Sequence, residues 1–408
     1  MSSVHETVIR ILDDVQQHGL TKILEYTQKF DQVALRPDEV VVDVMTLPEP
    51  HLNPSEREAI DFAARQIRQF HQATKPSSTK ADPAPGLHLE ERLVPLRRVG
   101  LYVPNGQYPL ISSLLMSAIP AGVAGVDDLV AAIAPKLSLV LDPLWVYTLK
   151  LTGVKTVLRL GGAQAIAAMG YGFENFEPVD LIAGPGNQFV AQAKQELFRR
   201  SVAGIDVIAG PSEVLVIAAD IGEHEARVAA LDLLAQAEHA ADTHAYFVSW
   251  QDDTAGQVKS LVQQYTKSHV GPLGRIDWIT VPSPQEAVAF ANRIAPEHLG
   301  LIGREAEVLA PQMRTAGALF IGWLAGQALG DYVAGPSHVL PTGGTGRFSG
   351  GLSSRTFMRR MSIIETNDTV PDAFFQAGQV LAALEGLTFH EKSLKERLQQ
   401  KTSPEIAP

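Results

Sequence analysis

Apolar residues recur at helical spacing over residues 8–30 and again over 55–74, where Pro54 suits the first turn of the second helix. Residues 75–86, KPSSTKADPAPG, carry three prolines and read as a turn-rich linker. From residue 100, short apolar runs alternate with helical stretches. Strands are predicted at 100–103, 129–134, 156–160, 179–183 and 205–208, with helices between them at 109–123, 143–152, 163–170 and 188–199. A second set follows, with strands at 214–218, 245–250, 278–281, 299–302 and 318–321 and helices at 223–239, 255–267, 284–294 and 305–315. This alternation predicts an α/β fold of mostly parallel sheets covered by helices. Two such units of about a hundred residues or more each are of ordinary domain size. After residue 349 the chain reads as loop and then as helix from 372 to 400, interrupted near Gly386. That tail is too short to bury a core of its own and must dock on something.

Composition narrows the field. The 408 residues carry 34 basic and 45 acidic side chains, a formal net charge of −11, with no basic block of the kind that binds nucleic acid or acidic membrane. There is no cysteine, which removes disulfides, thiolate metal sites and a thiol nucleophile. Any metal must be held by His, Asp, Glu or Gln, and any aldehyde must be oxidised without a thiohemiacetal. The polar, acidic N-terminus reads as neither a signal nor a transit peptide. The longest apolar stretch, 110–135, is broken by Pro120 and Asp127-Asp128, so it does not span a bilayer. The expected setting is cytoplasmic.

Four loops, GLYVPNG (100–106), LGGAQ (160–164), AGPGN (183–187) and AGPSE (209–213), each follow a predicted strand, where open parallel sheets bind ligands. Glycine and proline are also simply how chains turn at strand ends. No G-x-G-x-x-G fingerprint, P-loop or H-E-x-x-H pattern is present.

Three polar clusters remain. Gln236 and His239, three apart near the end of a predicted helix, share a face and could both reach a metal; on composition alone, a solvated helix end is the more ordinary reading. Glu297-His298, between a predicted helix and strand, suits paired acid–base chemistry or an exposed turn. Asp331 and His338 lie in an aperiodic stretch running past Gly351, which reads as a long loop of the kind that often carries function.

Taken in order, RVGLYVPNG, GGAQAIAA, VDLIAGPGN, IAGPSEVLV, DLLAQAEH, IAPEHL, GDYVAGPSHVLPTGGTGRFSGGLS and EGLTFH resemble the histidinol dehydrogenase family over residues 98–390. The resemblance implies two Rossmann-like domains, one from 1–101 with 214–352 and one from 102–213. It also implies a helical segment, 353–408, that docks on the partner of an intertwined homodimer. By motif, Gln236, His239 and Asp331 match zinc ligands, His390 matches a ligand supplied by the other subunit, and Glu297 and His298 match the catalytic pair. Tyr102, Gln164 and Asn187 match positions associated with NAD. Ser212, His338 and Glu385 match substrate contacts, and His298 and the four metal-matching residues would also face the substrate. The implied reaction is zinc- and NAD-dependent oxidation of L-histidinol through the aldehyde to L-histidine, the last two oxidations of histidine biosynthesis.

Three positions depart from the family pattern. Asn105 and Tyr108 alter the loop after Tyr102, and Phe389 stands before His390 where the family usually has alanine. They bear on substrate identity, since the superfamily includes relatives that oxidise other small alcohols, including a dihydroxypropane sulfonate. Glu385 favours an amine-bearing substrate, because a carboxylate pairs with ammonium and repels sulfonate. A non-catalytic small-molecule binder would not need the Glu297–His298 pair.

Overall fold

The computed structural model describes residues 3–104, 109–135, 142–207 and 210–402. Asn105, Tyr108, Ile208 and Ala209, on which several expectations fall, lie outside the described residues. The elements in chain order are α1 (Val4–His18), α2 (Leu20–Asp31), β1 (Val41–Asp43), α3 (Pro54–Ala73), β2 (Thr79–Ala84), β3 (Leu87–Pro95) and β4 (Arg98–Val103). Next come α4 (Ile111–Ala124), β5 (Asp128–Ile133), α5 (Pro143–Thr152), β6 (Thr156–Leu158), α6 (Gly162–Tyr171), β7 (Leu181–Ala183), α7 (Gln188–Arg199) and β8 (Gly204–Ile205). Then follow β9 (Glu213–Ala218), α8 (Glu223–Ala237), β10 (His244–Ser249), α9 (Asp252–Thr266), β11 (Arg275–Thr280), α10 (Pro284–Ile294), β12 (His298–Ile302), α11 (Arg304–Glu307), β13 (Ala318–Ile321) and α12 (Gln327–Tyr332). The chain ends with β14 (Met358–Thr366), α13 (Asp372–Leu384) and α14 (Thr388–Thr402).

Residues separate into two compact units, Met1–Lys75 with Pro95–Phe357, and Pro76–Val94 with Met358–Pro408. The first holds two sheets. One has the order β1-β6-β5-β4-β7-β8, parallel from β6 to β8 with β1 antiparallel at its edge. The other, β11-β10-β9-β12-β13, is parallel throughout. The alternation of strand and helix makes both outcomes expected, because parallel neighbours need a crossover and a helix supplies it. The expected divide at 101/102 falls inside β4, and α1 packs on α6 and α7 beside the first sheet.

Burial follows from the strands. In β9, Val214, Val216 and Ala218 pack with Ala226, Ala229, Leu233 and Val258 of α8 and α9. Leu215 and Ile217 point the other way, onto Ala287 and Ala291 of α10. A strand covered on both faces reads as an unbroken apolar run, which is why its position was legible.

Four expectations need correction. The single helix at 8–30 is two, because Gly19 (φ +52°) turns the chain between α1 and α2. The expected linker at 75–86 contains strand β2, paired antiparallel with β3. Its Pro83 is tolerated because β2 is an edge strand and the register shifts between Ala81 and Ala84. The helix expected at 305–315 is a single turn, α11, followed by a 3-10 turn at Ala310–Gln312. Pro311 has no amide hydrogen to continue an α-helix. The loop expected after 349 contains β14, which joins β3 and β2 in the order β14-β3-β2.

In that second unit the tail expected as interrupted helix is α13 and α14, broken at Gly386 (φ +71°). The two helices pack closely, since a Cβ on Gly378 would lie 2.8 Å from Leu394. Leu381, Leu384 and Phe389 stay exposed, Phe389 at 83%.

One buried side chain in α3 has a consequence for stability. His71 is 0% exposed, and neither ring nitrogen has a hydrogen-bond partner among the described residues. Burial pulls its pKa down to about 4. The unfolded chain therefore binds a proton that the folded one refuses between about pH 6.5 and 4, so stability falls as pH drops through that window, by on the order of 3 kcal/mol. Urea midpoints at pH 7.5 and 5 should drop less for His71→Leu than for the wild type. An equal drop would assign the pH dependence elsewhere.

Candidate active site

The Glu297–His298 pair sits where helix gives way to strand. Ala295 ends α10 in the left-handed conformation (φ +52°), and His298 opens β12, flanked by β9 and β13. The pair thus lies at the amino end of its strand, between helix and strand as the sequence predicts.

Both side chains are anchored to one peptide neighbour. The Glu213 N–H donates to Glu297 Oε2 at 3.0 Å, and the Glu213 carbonyl lies 3.2 Å from His298 Nδ1. A carbonyl only accepts, so Nδ1 carries a hydrogen, and in the neutral ring Nε2 keeps its lone pair. Among the described residues Nε2 is buried without a hydrogen-bond partner, 3.6 Å from Asp331 Oδ1. The ring stacks on Phe320 at 5.9 Å between centroids.

Electrostatics separate the members. Burial pushes the Glu297 carboxyl up to about 7, against the opposing pull of His298 and the Glu213 N–H. Burial lowers His298, but Asp331 and Glu297 outweigh it and leave the imidazole above its ordinary value. Asp331 is likewise raised by burial and then held below the usual carboxylate range by His298, with His338 and His239 contributing.

Asp331 lies within α12 and not in an irregular loop, a correction to the reading of this stretch. After Tyr332 the chain turns so that His338 Nδ1–H donates to the Asp331 carbonyl at 2.8 Å. His338 Nε2 is 3.4 Å from the Ser113 hydroxyl of α4, a helix that packs against β4 of the first sheet. Burial lowers its pKa.

Gln236 is fully buried in the last turn of α8. His239 is not on that helix, which ends at Ala237; it follows the cap, exposed, with its N–H directed to the Gln236 carbonyl at 3.3 Å. His239 is close enough to Asp331 and His338 for its charge to act on both. Ser212, half-buried, immediately precedes Glu213. Among the described residues no three His, Asp or Glu side chains gather to hold a metal ion. The expected set contains only two such residues, His239 and Asp331, from this part of the chain, with the Gln236 amide as a third donor. Glu385 caps α13 and His390 stands in the first turn of α14; both are exposed and belong to the second unit.

The residues expected near a dinucleotide cluster at the first sheet. Its strand order reverses at β4, so a crevice opens between the carboxyl ends of β4 and β7. Tyr102, in β4, accepts from the Gly162 N–H at 3.1 Å, and Gln164 donates to Asp31 at 3.1 Å. Gly184 approaches so closely that a Cβ there would lie 2.2 Å from the Tyr102 carbonyl, and its φ of +109° also excludes other residues. A buried ion pair holds this turn: Lys194 Nζ donates to the Gly184 carbonyl (3.0 Å) and to Asp206, whose other oxygen accepts from the Gly184 N–H at 2.7 Å. Asn187 caps α7 by accepting from the Phe189 and Val190 amides.

Residues 1–398 match the family model described as Histidinol dehydrogenase. The chain belongs to the histidinol dehydrogenase family. It is 39% identical over 406 residues to the histidinol dehydrogenase of Pseudomonas syringae pv. syringae, covering 97% of this chain and 90% of that protein. Identity to the Parasynechococcus marenigrum histidinol dehydrogenase is 40% over 397 residues, with coverage of 95% and 90%. The crystal structure of histidinol dehydrogenase from Elizabethkingia anophelis superposes with a TM-score of 0.89 at 30% identity, over 99% of this chain and 94% of that one. The protein is thus an oxidoreductase of the histidinol dehydrogenase kind.

The backbone role of Glu213, the contact of Ser113 with His338 and the hydrogen bond from Gln327 Nε2 to Gln236 Oε1 (2.8 Å) escaped the sequence reading. No spacing rule points to a main-chain anchor or to partners many residues apart.

Proposed function

We propose that the protein oxidises L-histidinol to L-histidine with zinc and two NAD, using His298 and Glu297 as the proton-handling pair. The observation that carries this is the buried His298 ring, whose Nδ1 is held by the Glu213 carbonyl and whose Nε2 makes no hydrogen bond among the described residues and lies 3.6 Å from the Asp331 carboxylate. The donor types fit a zinc ion chemically: an amide oxygen, an imidazole and a carboxylate are borderline-hard ligands. Gln236, His239 and Asp331 would hold it, with His390 of the partner subunit as fourth ligand. When bound, zinc supplies a fixed charge that orients the substrate's nitrogen donors, and NAD supplies the hydride acceptor.

His298 Nε2 takes the hydroxyl proton as the carbinol carbon gives up its hydride, leaving the aldehyde. Glu297, titrating near neutrality, takes a proton from the water that adds to the carbonyl carbon. The hydrate loses a second hydride and becomes the acid. Per substrate, one water is consumed and two NADH form. Tyr102, Gln164 and Asn187 shape the dinucleotide crevice, while Ser212, His338 and Glu385 face the substrate. Exposed Leu381, Leu384 and Phe389 support a homodimer in which the C-terminal helices dock on the partner.

The test is initial rates for zinc-loaded protein with NAD and either L-histidinol or dihydroxypropane sulfonate. Two NADH per histidinol, with histidine as product, is the expected result. Turnover of the sulfonate alone would move the assignment to a paralogue with the same machinery. No turnover of any amino alcohol would favour a binding protein.

A further inference from the structure

Gln236 shares its burial with a second amide. Gln327, the first residue of α12 and 4% exposed, donates from Nε2 to Gln236 Oε1 at 2.8 Å. Among the described residues this arrangement leaves Gln236 Nε2 and Gln327 Oε1 both buried without partners. The oxygen and nitrogen of an amide have nearly the same size, so turning both groups by half a rotation keeps the contact with its direction reversed. Gln236 Nε2 then donates to Gln327 Oε1, and Gln236 Oε1 is the atom left free. Only this second arrangement turns a lone pair, and not an N–H, toward a cation. Gln327 also stands four residues before Asp331, so the two lie one turn apart on α12.

We propose that Gln327 is a positioning residue that pins the Gln236 amide with its oxygen outward as a metal donor. The inference rests on the zinc reading above and adds a residue to it. In this arrangement α12 supplies one ligand, Asp331, and orders a second, Gln236, through the same turn of helix. Removing the Gln327 amide leaves Gln236 free to rotate and its N–H without a partner. Metal binding must then fix a group that was already fixed in the wild type. Losing such an outer partner of a ligand typically weakens metal affinity by about 10–100-fold.

The experiment measures zinc dissociation constants by chelator competition on the full-length protein, for wild type, Gln327→Met, Gln236→Ala and the double variant. Thermal midpoints of the metal-free proteins serve as the folding control. Gln327→Met should weaken zinc at least about tenfold in the wild-type background and leave it nearly unchanged in the Gln236→Ala background. A residue acting only through Gln236 has nothing to act on once that side chain is gone. Equal weakening in both backgrounds would overturn the proposal, as would unchanged affinity in Gln327→Met while Gln236→Ala loses it. Unchanged affinity in Gln236→Ala would instead remove Gln236 from the ligand set, and the positioning role with it. Gln327→Glu gives an independent check. A carboxylate can only accept from Gln236 Nε2, so it enforces the same orientation and should hold zinc at least as well as the wild type. A loss as large as that of Gln327→Met would count against the mechanism.

Discussion

His298→Asn should lower histidinol turnover by about 10²–10⁴-fold while zinc affinity and the unfolding midpoint stay near wild type. Asparagine keeps an N–H that can reach the Glu213 carbonyl, so the local anchoring survives. It has no basic lone pair where Nε2 stands, so the hydroxyl proton has no acceptor. Steady-state kcat, with zinc content as the control, decides the matter. Full retained activity would remove His298 from the chemistry.

The second large effect concerns stability. The Lys194 and Asp206 side chains are 3% and 0% exposed, and between them they bond both polar atoms of the Gly184 peptide. Lys194→Met leaves a buried carboxylate without its counter-charge, which should cost about 3–5 kcal/mol in urea unfolding. The double variant Lys194→Met/Asp206→Leu should recover part of that loss, because no unpaired charge then remains. A single-variant cost below about 1 kcal/mol would mean the pair is solvated in solution. NAD affinity should weaken as well in Lys194→Met, since the 184–187 turn loses its fastening at the crevice beside Tyr102.

These two sites also mark what the sequence could reveal. The strands β4, β5, β9, β10 and β12 were legible because burial on both faces writes an apolar run into the chain. β14 was not, because none of its residues is buried and they include Arg359, Arg360 and Glu365. β2 was masked by Pro83, which an edge position tolerates. At the site, Glu297, His298 and Asp331 stood out through motif and chemistry. The contact between Gln236 and Gln327 joins positions some ninety residues apart, and the Lys194–Asp206 pair is spent on main-chain atoms. Neither leaves a periodic trace, since each depends on which elements the sheets bring side by side.

The makeup of the smaller unit bears on how the protein emerges from a ribosome. β3 is the middle strand of β14-β3-β2, yet β14 follows it by about 260 residues. At ~5–20 residues per second, the nascent chain carries one open edge of β3 for roughly 13–50 s before its native neighbour exists. During that interval the hairpin can recruit a strand from another chain. Lys80, Glu90, Glu91 and Arg92 place charge on that hairpin, which disfavours such pairing until synthesis reaches the C-terminal region.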